Sequence, residues 1–331
     1  MFAAAGAMTS IVLGRLYLIV ARRWKVGQTE RDDGPEAHRT KAGTPTMGGL
    51  VFWLIAAVTG LVLVLPVHAN KRLLVAGVVI GTLGLGLIGL LDDLAKVLSR
   101  QTTGIPARWR IVAQAAVAAA TVGFLDHAWP FIGPPPDFRW LGFGGLSDPV
   151  RYLLDIAVIV GAANAVNFTD GIDGLAAGTC GLALLAFSTV ALCLGLHLWP
   201  PATALAIFLA VMGGVSLGFL VWNWHPARLF MGDVGSMTLG GLLGAAAVAL
   251  HVEIFLVVLG GIFVVETLSV IGQVISFQLT GKRILKMAPL HHHFELSGWS
   301  EGAISLIAYL VQMGLAGAAL VLMWYVQGGP Q

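Results

Sequence analysis

Long apolar runs separated by short polar stretches dominate the chain. Ten runs, near residues 2–20, 46–67, 73–91, 111–132, 150–167, 174–198, 202–222, 235–251, 254–279 and 303–326, are long enough, or nearly so, to cross a membrane as helices. A bilayer core is about 30 Å thick, which roughly 20 helical residues span, and only a helix or a closed barrel satisfies its backbone polar groups within lipid. The eighth and ninth runs are parted only by His251, Val252 and Glu253. The pattern predicts an all-α, polytopic membrane protein with about ten transmembrane helices. No periodic repeat and no soluble segment interrupts the series, so residues 1–331 read as a single domain.

Composition supports this reading. The chain is 57% hydrophobic and 11% charged, with a mean hydropathy of +0.85, whereas soluble domains carry about 25% charged residues. A net charge of +2 gives no argument for nucleic acid as a partner. The placement of the basic residues is more informative. Arg22, Arg23, Lys25, Arg31, Arg39, Lys41, Lys96, Arg100, Arg108, Arg110, Arg228, Lys282, Arg283 and Lys286 follow the odd-numbered runs, against Lys71, Arg72, Arg139 and Arg151 after the even-numbered ones. The positive-inside rule then puts the odd connections in the cytoplasm and both termini outside. Arg15 interrupts the first run and no small-residue cleavage site follows it, so this run is expected to stay as a span. Residues 130–149, with three consecutive prolines, read as an outer connector. Cys180 and Cys193 lie 13 residues apart in one run, too far along one helix for a disulfide, and read as packing residues.

Four polar clusters interrupt this apolar background, all on the basic side. Asp92, Asp93 and Lys96 close the third run. Asp92 and Lys96 share a helix face while Asp93 points about 100° away, which suits one carboxylate to a ligand and the other to a structural partner, or simply a solvated helix end. Residues 164–174 gather Asn164, Asn167, Thr169, Asp170 and Asp173 among glycines, with no nearby cation, which favours a polar ligand or a metal over a plain turn. Residues 222–236 bring Asn223 and Phe230 to Asp233, Gly235 and Ser236 at a predicted helix start, where free N–H groups suit phosphate and Asp233 suits a divalent cation. An ordinary N-cap would look the same. His291, His292, His293 and Glu295 follow Lys282, Arg283 and Lys286 in the long loop after the ninth run; consecutive histidines seldom reach one ion, so donors to phosphate are the better use, the alternative being a polar amphipathic loop lying on the lipid surface.

Carboxylates, amides and basic groups on one membrane face suit Mg²⁺ and a pyrophosphate, because Mg²⁺ takes oxygen ligands and lets phosphates complete its shell. No Walker sequence is present. A transporter of an anionic nucleotide-sugar or lipid is the reading from another class. Transporters hold substrate near the midplane, often between inverted repeats, and neither feature is legible here.

Five blocks carry a family resemblance: residues 41–49, Asp92 to Lys96, residues 164–174, residues 230–236 and residues 289–301. On these the chain resembles the polyprenyl-phosphate N-acetylhexosamine-1-phosphate transferases. The resemblance implies ten transmembrane helices with an active-site cleft on the cytoplasmic face. It also implies transfer of phospho-MurNAc-pentapeptide from UDP-MurNAc-pentapeptide to undecaprenyl phosphate, giving lipid I and UMP with Mg²⁺. Thr44-Pro45-Thr46-Met47-Gly48-Gly49 and the unbroken histidines before Phe294 and Glu295 look like the muramoyl-pentapeptide branch rather than the UDP-GlcNAc branch. Carried over by motif, Asp233 is the metal ligand, and Asp92, Asp93 and His291 act with it in catalysis. Lys96, His292 and His293 meet phosphates; Asn223, Phe230, Asp170 and Asp173 form the nucleoside pocket; Lys41, Thr46 and Asn167 line the same cleft. Arg100, Arg108 and Arg110 stand where relatives often have Lys, which changes the hydrogen-bond geometry. The glycines of the third and eighth runs suit close helix packing, either inside the bundle or in a homodimer.

Overall fold

The computed structural model describes residues 1–23, 43–65, 72–99, 103–133, 142–143 and 146–326. Among them the regular elements are helices: α1 (Phe2–Arg23), α2 (Leu50–Val64), α3 (Leu73–Ser99), α4 (Ala107–Ile132), α5 (Asp148–Thr169), α6 (Leu175–His197), α7 (Ala202–Asn223), α8 (Gly232–Leu250), α9 (Glu253–Leu259), α10 (Gly261–Thr280), α11 (Leu290–Glu295) and α12 (Glu301–Val326). Nine of these are long and apolar enough to cross a membrane, and α2 is a shorter apolar helix of 15 residues.

The differences from the expected spans have local causes. The run at 254–279 is two helices, because the chain leaves helical geometry at Gly260 (φ −102°, ψ 24°). Helix α4 starts ahead of its apolar run because Pro106 sets the entry and Arg108 and Arg110 occupy the first turn, which hydropathy does not register. Helix α2 starts late because backbone at residues 48 and 49 pairs with Phe230 and Met231. The three histidines sit on α11, a six-residue helix rather than a loop.

Helix α8 is the axis of the bundle. In its most apolar 18-residue stretch 94% of residues are buried, against 22% in α1 and 11% in α10. Its sequence is mostly glycine, alanine and leucine, so no bulky group holds α3 or α5 away. A helix apolar all round belongs inside its bundle. At Gly89 of α3 a Cβ would collide with the backbone carbonyl of Asp233, so the glycine lets the end of α3 reach the start of α8. Gly81 and Gly241 likewise face each other's helix, so these glycines are used within the bundle and do not argue for a dimer. Cys180 is buried and Cys193 half-buried, both as free thiols.

Candidate active site

The end of α3, the start of α4, the turn after α5, the loop after α7 and the start of α8 meet at one end of the bundle. Gly232 adopts φ +74° immediately before Asp233, in the left-handed region that glycine tolerates, and a Cβ there would lie 2.7 Å from Asp93 Oδ2. The loop after α7 is fixed by the chain ahead of α2: Phe230 N–H donates to Pro45 O at 2.8 Å, and Gly48 N–H and Gly49 N–H donate to Phe230 O and Met231 O, each at 2.8 Å. Thr46 therefore lies beside Phe230, its carbonyl accepting from the Tyr17 hydroxyl at 2.9 Å.

Within this frame Lys96 Nζ bridges two carboxylates, 2.7 Å from Asp92 Oδ2 and 2.7 Å from Asp233 Oδ2. Arg110 Nη1 stands behind it at 3.8 and 3.7 Å from the same oxygens. Asn167 Nδ2 donates to Asp233 Oδ1 at 2.9 Å and to Ser236 Oγ at 3.0 Å. Asp92 Oδ1 accepts from Ile105 N–H at 2.7 Å, and Asp93 Oδ2 accepts from Val234 N–H at 3.0 Å. The two adjacent aspartates thus diverge, Asp92 toward Lys96 and Asp93 onto the backbone of α8. Asp170 lies between α5 and α6. Burial pushes its carboxyl well above the usual range, and the charges of Asp233, Asp93 and Asp173 push it the same way.

The remaining candidates are placed less directly. Asn223 is buried, its Oδ1 accepting from Gly174 N–H at 3.2 Å and its Nδ2 donating to Leu229 O at 3.1 Å, so its amide holds two loops together. Asp173 Oδ2 faces His225 Nδ1 and accepts from Ala227 N–H, each at 3.0 Å. The three histidines diverge. His291 is buried with Nδ1 3.2 Å from Glu266 Oε2 and its Nε2 edge against Gly171; His292 Nδ1 is 2.9 Å from Glu295 Oε2; His293 Nδ1 accepts from Lys286 N–H at 3.1 Å. Asn164 turns to Gln114 Oε1 at 2.8 Å, inside the bundle. Lys41 and Arg100 lie outside the described residues. Arg110, Ser236, Glu266, His225 and Glu301 join these clusters without having been singled out as ligands. Of these, Arg110 had the clearest signal, a basic residue two positions from Arg108 at a helix start.

The carboxyls of Asp92, Asp93, Asp170 and Asp233 outnumber the cations of Lys96 and Arg110. An oxygen-rich set of this kind matches a hard divalent cation. The arrangement can hold such a cation beside basic donors for phosphate.

Comparison with known proteins gives the chain its family. The model of glycosyl transferase family 4 matches residues 75–251, and signature 1 of the phospho-N-acetylmuramoyl-pentapeptide-transferases matches residues 41–52. The chain is 44% identical to the phospho-N-acetylmuramoyl-pentapeptide-transferase of Desulforamulus reducens over 96% of its own length and 95% of the relative's. The chain belongs to the phospho-N-acetylmuramoyl-pentapeptide-transferase family. Members bearing the same name in Bacillus thuringiensis and Bacillus mycoides are each 41% identical, with 93% of both chains covered. The region matched by the glycosyl transferase family 4 model runs from α3 to the end of α8 and so contains Asp92, Asp93, Lys96, Asn167, Asp170, Asn223 and Asp233.

Proposed function

We propose that this protein is a phosphosugar transferase that moves phospho-MurNAc-pentapeptide from UDP-MurNAc-pentapeptide to undecaprenyl phosphate, releasing UMP and forming lipid I. The reading is carried by one observation: in a chain of this family, Lys96 bridges Asp92 and Asp233 at one end of a membrane bundle. A one-ended site suits a soluble donor meeting a lipid acceptor at the membrane edge, and disfavours a carrier with a midplane site. The chain acts as a single domain in the bacterial cytoplasmic membrane. The excess of Lys and Arg on the odd-numbered connections supports a cytoplasmic site with both termini outside.

The reaction is a displacement at phosphorus. An oxygen of the lipid phosphate forms a bond to the β-phosphorus of the nucleotide-sugar, and the bond from that phosphorus to the bridging oxygen breaks, UMP leaving with the electron pair. Positioning and charge stabilisation carry most of the catalysis in such transfers. Asp233, with Asp92 beside it, would hold Mg²⁺, whose charge when bound neutralises the leaving phosphate. Lys96 and Arg110 present donors to phosphate oxygens, and Asn167 orients Asp233. Asp93 aligns α8 through Val234 N–H. Asp92 orients the acceptor. A phosphate monoester has its second pKa near 6 and is already largely ionised at pH 7, so a general base adds little. Phe230 offers a flat face to the base, and Asp170 and Thr46 line the pocket around it. His292 and His293 serve phosphate from the rim. His291 acts from inside, where it supports the Asp170–Gly171 step.

The test is UMP release by the purified protein with undecaprenyl phosphate and Mg²⁺, offered UDP-MurNAc-pentapeptide and UDP-GlcNAc in parallel. Release with the muramoyl donor alone is expected. Release with UDP-GlcNAc alone would keep the chemistry and overturn the substrate. A phosphorylated enzyme trapped with donor in the absence of lipid would replace the single displacement by a covalent aspartyl route.

A further inference from the structure

Asp173, His225 and Glu301 come from three separate segments: the turn between α5 and α6, the loop after α7 and the first residue of α12. Their polar atoms converge to within 4.8 Å of one another. Asp173 Oδ2 is 3.0 Å from His225 Nδ1 and accepts from Ala227 N–H at 3.0 Å. Glu301 Oε2 accepts from Asp173 N–H at 2.9 Å and lies 3.8 Å from the same imidazole nitrogen. The two acidic side chains are 1% and 6% exposed, and the imidazole is 40% exposed.

This geometry fixes what the imidazole can offer. An ionised carboxylate only accepts, so Nδ1, facing two of them, carries the hydrogen. In the neutral ring the other nitrogen, Nε2, is then an acceptor, and it lies on the edge turned away from the buried carboxylates. A metal fits poorly, because the two carboxylate oxygens nearest Nδ1 each already accept a backbone N–H. A phosphate fits poorly too: two carboxylates against one imidazole leave the corner net negative in either state of the ring. The cations Lys96 and Arg110 stand at the other cluster. What suits this corner is a neutral group with an N–H to donate. The nucleotide part of a UDP-sugar has one on its base, at N3 of uracil, where cytosine carries a lone pair instead.

We propose that His225 is a specificity-determining residue of the transferase site, its Nε2 accepting the uracil N3–H, with Asp173 and Glu301 as the positioning residues that hold its Nδ1–H inward. The assignment rests on the nucleotide-sugar reading above and adds to it the residue that selects the base. It divides the site into a basic end for the pyrophosphate and an acceptor end for the base. It also gives Asp173 a role through His225.

The test is equilibrium binding of UMP, CMP and N3-methyl-UMP to the full-length protein in detergent. Wild type is expected to prefer UMP over both analogues by about tenfold or more, the scale of one well-placed hydrogen bond. In His225→Ala the three are expected to bind within about twofold of each other. His225→Gln keeps affinity for UMP but loses the discrimination against CMP, since its amide offers either a donor or an acceptor. Glu301→Gln keeps the imidazole with a weaker grip and lowers the preference severalfold. In turnover, His225→Ala raises KM for the nucleotide-sugar about tenfold and leaves KM for undecaprenyl phosphate unchanged. A purely structural role would lower kcat and stability without changing the ranking of the bases. A UMP preference that survives intact in both His225 variants overturns this assignment alone. A wild type that binds no UMP overturns the nucleotide-sugar reading, and this assignment with it.

Discussion

Lys96 Nζ sits 2.7 Å from Asp233 Oδ2, joining residues 137 positions apart in sequence, and at 2.7 Å it also holds Asp92 Oδ2. One ammonium thus keeps two carboxylates together at the meeting of α3 and α8. Lys96→Met retains much of the stem and removes the charge. UMP release is expected to fall by about 10²-fold or more, the scale of losing one charge-stabilising group at a phosphoryl centre. Lys96→Arg should recover only part of the rate, because a planar guanidinium cannot place one donor between the two oxygens as an ammonium does. Initial rates of the two variants check this; a Met variant within threefold of wild type would contradict it.

Gly89 predicts a coupling between packing and chemistry. A Cβ at this position would collide with the Asp233 carbonyl, so Gly89→Ala must push α3 away from α8. Overpacking of this kind costs about 1–3 kcal/mol, and here it also separates Lys96 from Asp233. Both the thermal midpoint in detergent and the rate of UMP release should drop. Gly81→Ala, farther from the chemistry on the same helix, should lower stability with a smaller effect on rate.

The opposite end of α8 carries a pH dependence. Glu253 is buried, its Oε2 accepting from Phe143 N–H at 3.1 Å. Burial, joined by the charge of Asp155, raises its carboxyl from 4.5 to about 8. The folded protein therefore keeps this proton at pH 7 while the unfolded chain releases it. Its contribution to stability is fully present below pH 4.5 and is lost as pH rises through about 8. Stability should fall across that window, by up to about 1.4 kcal/mol per pH unit from this group. Glu253→Gln, which keeps an acceptor for Phe143 N–H, should flatten the slope and gain on wild type at the alkaline end. Thermal midpoints of both proteins across the window check the sign.

The helical membrane fold was legible because its cause, apolar runs long enough to cross lipid, is a property of sequence alone. The break at Gly260 was not, since a glycine inside an apolar run leaves its hydropathy unchanged. The Asp92–Asp93 pair was readable as two directions on a helix, and it does split between Lys96 and Val234 N–H. What each direction met was not readable, because Asp233 arrives from a distant helix. Asn223 and Asp173 show the same limit. Their motifs mark them as polar residues at a ligand site, yet their side chains hold Gly174, Leu229, Ala227 and His225. Motif position does not distinguish a group that meets substrate from one that arranges its neighbours.

The most direct test of the central claim, that the Asp92–Lys96–Asp233 cluster holds a divalent cation for phosphoryl transfer, is UMP release by wild type and Asp233→Asn across a Mg²⁺ titration after chelation. Wild type should be inactive with chelator and recover with Mg²⁺, while Asp233→Asn stays at least about 10³-fold lower at every concentration, with its fold intact by thermal unfolding. A variant that matches wild type at saturating Mg²⁺, or a wild type indifferent to chelation, would contradict it.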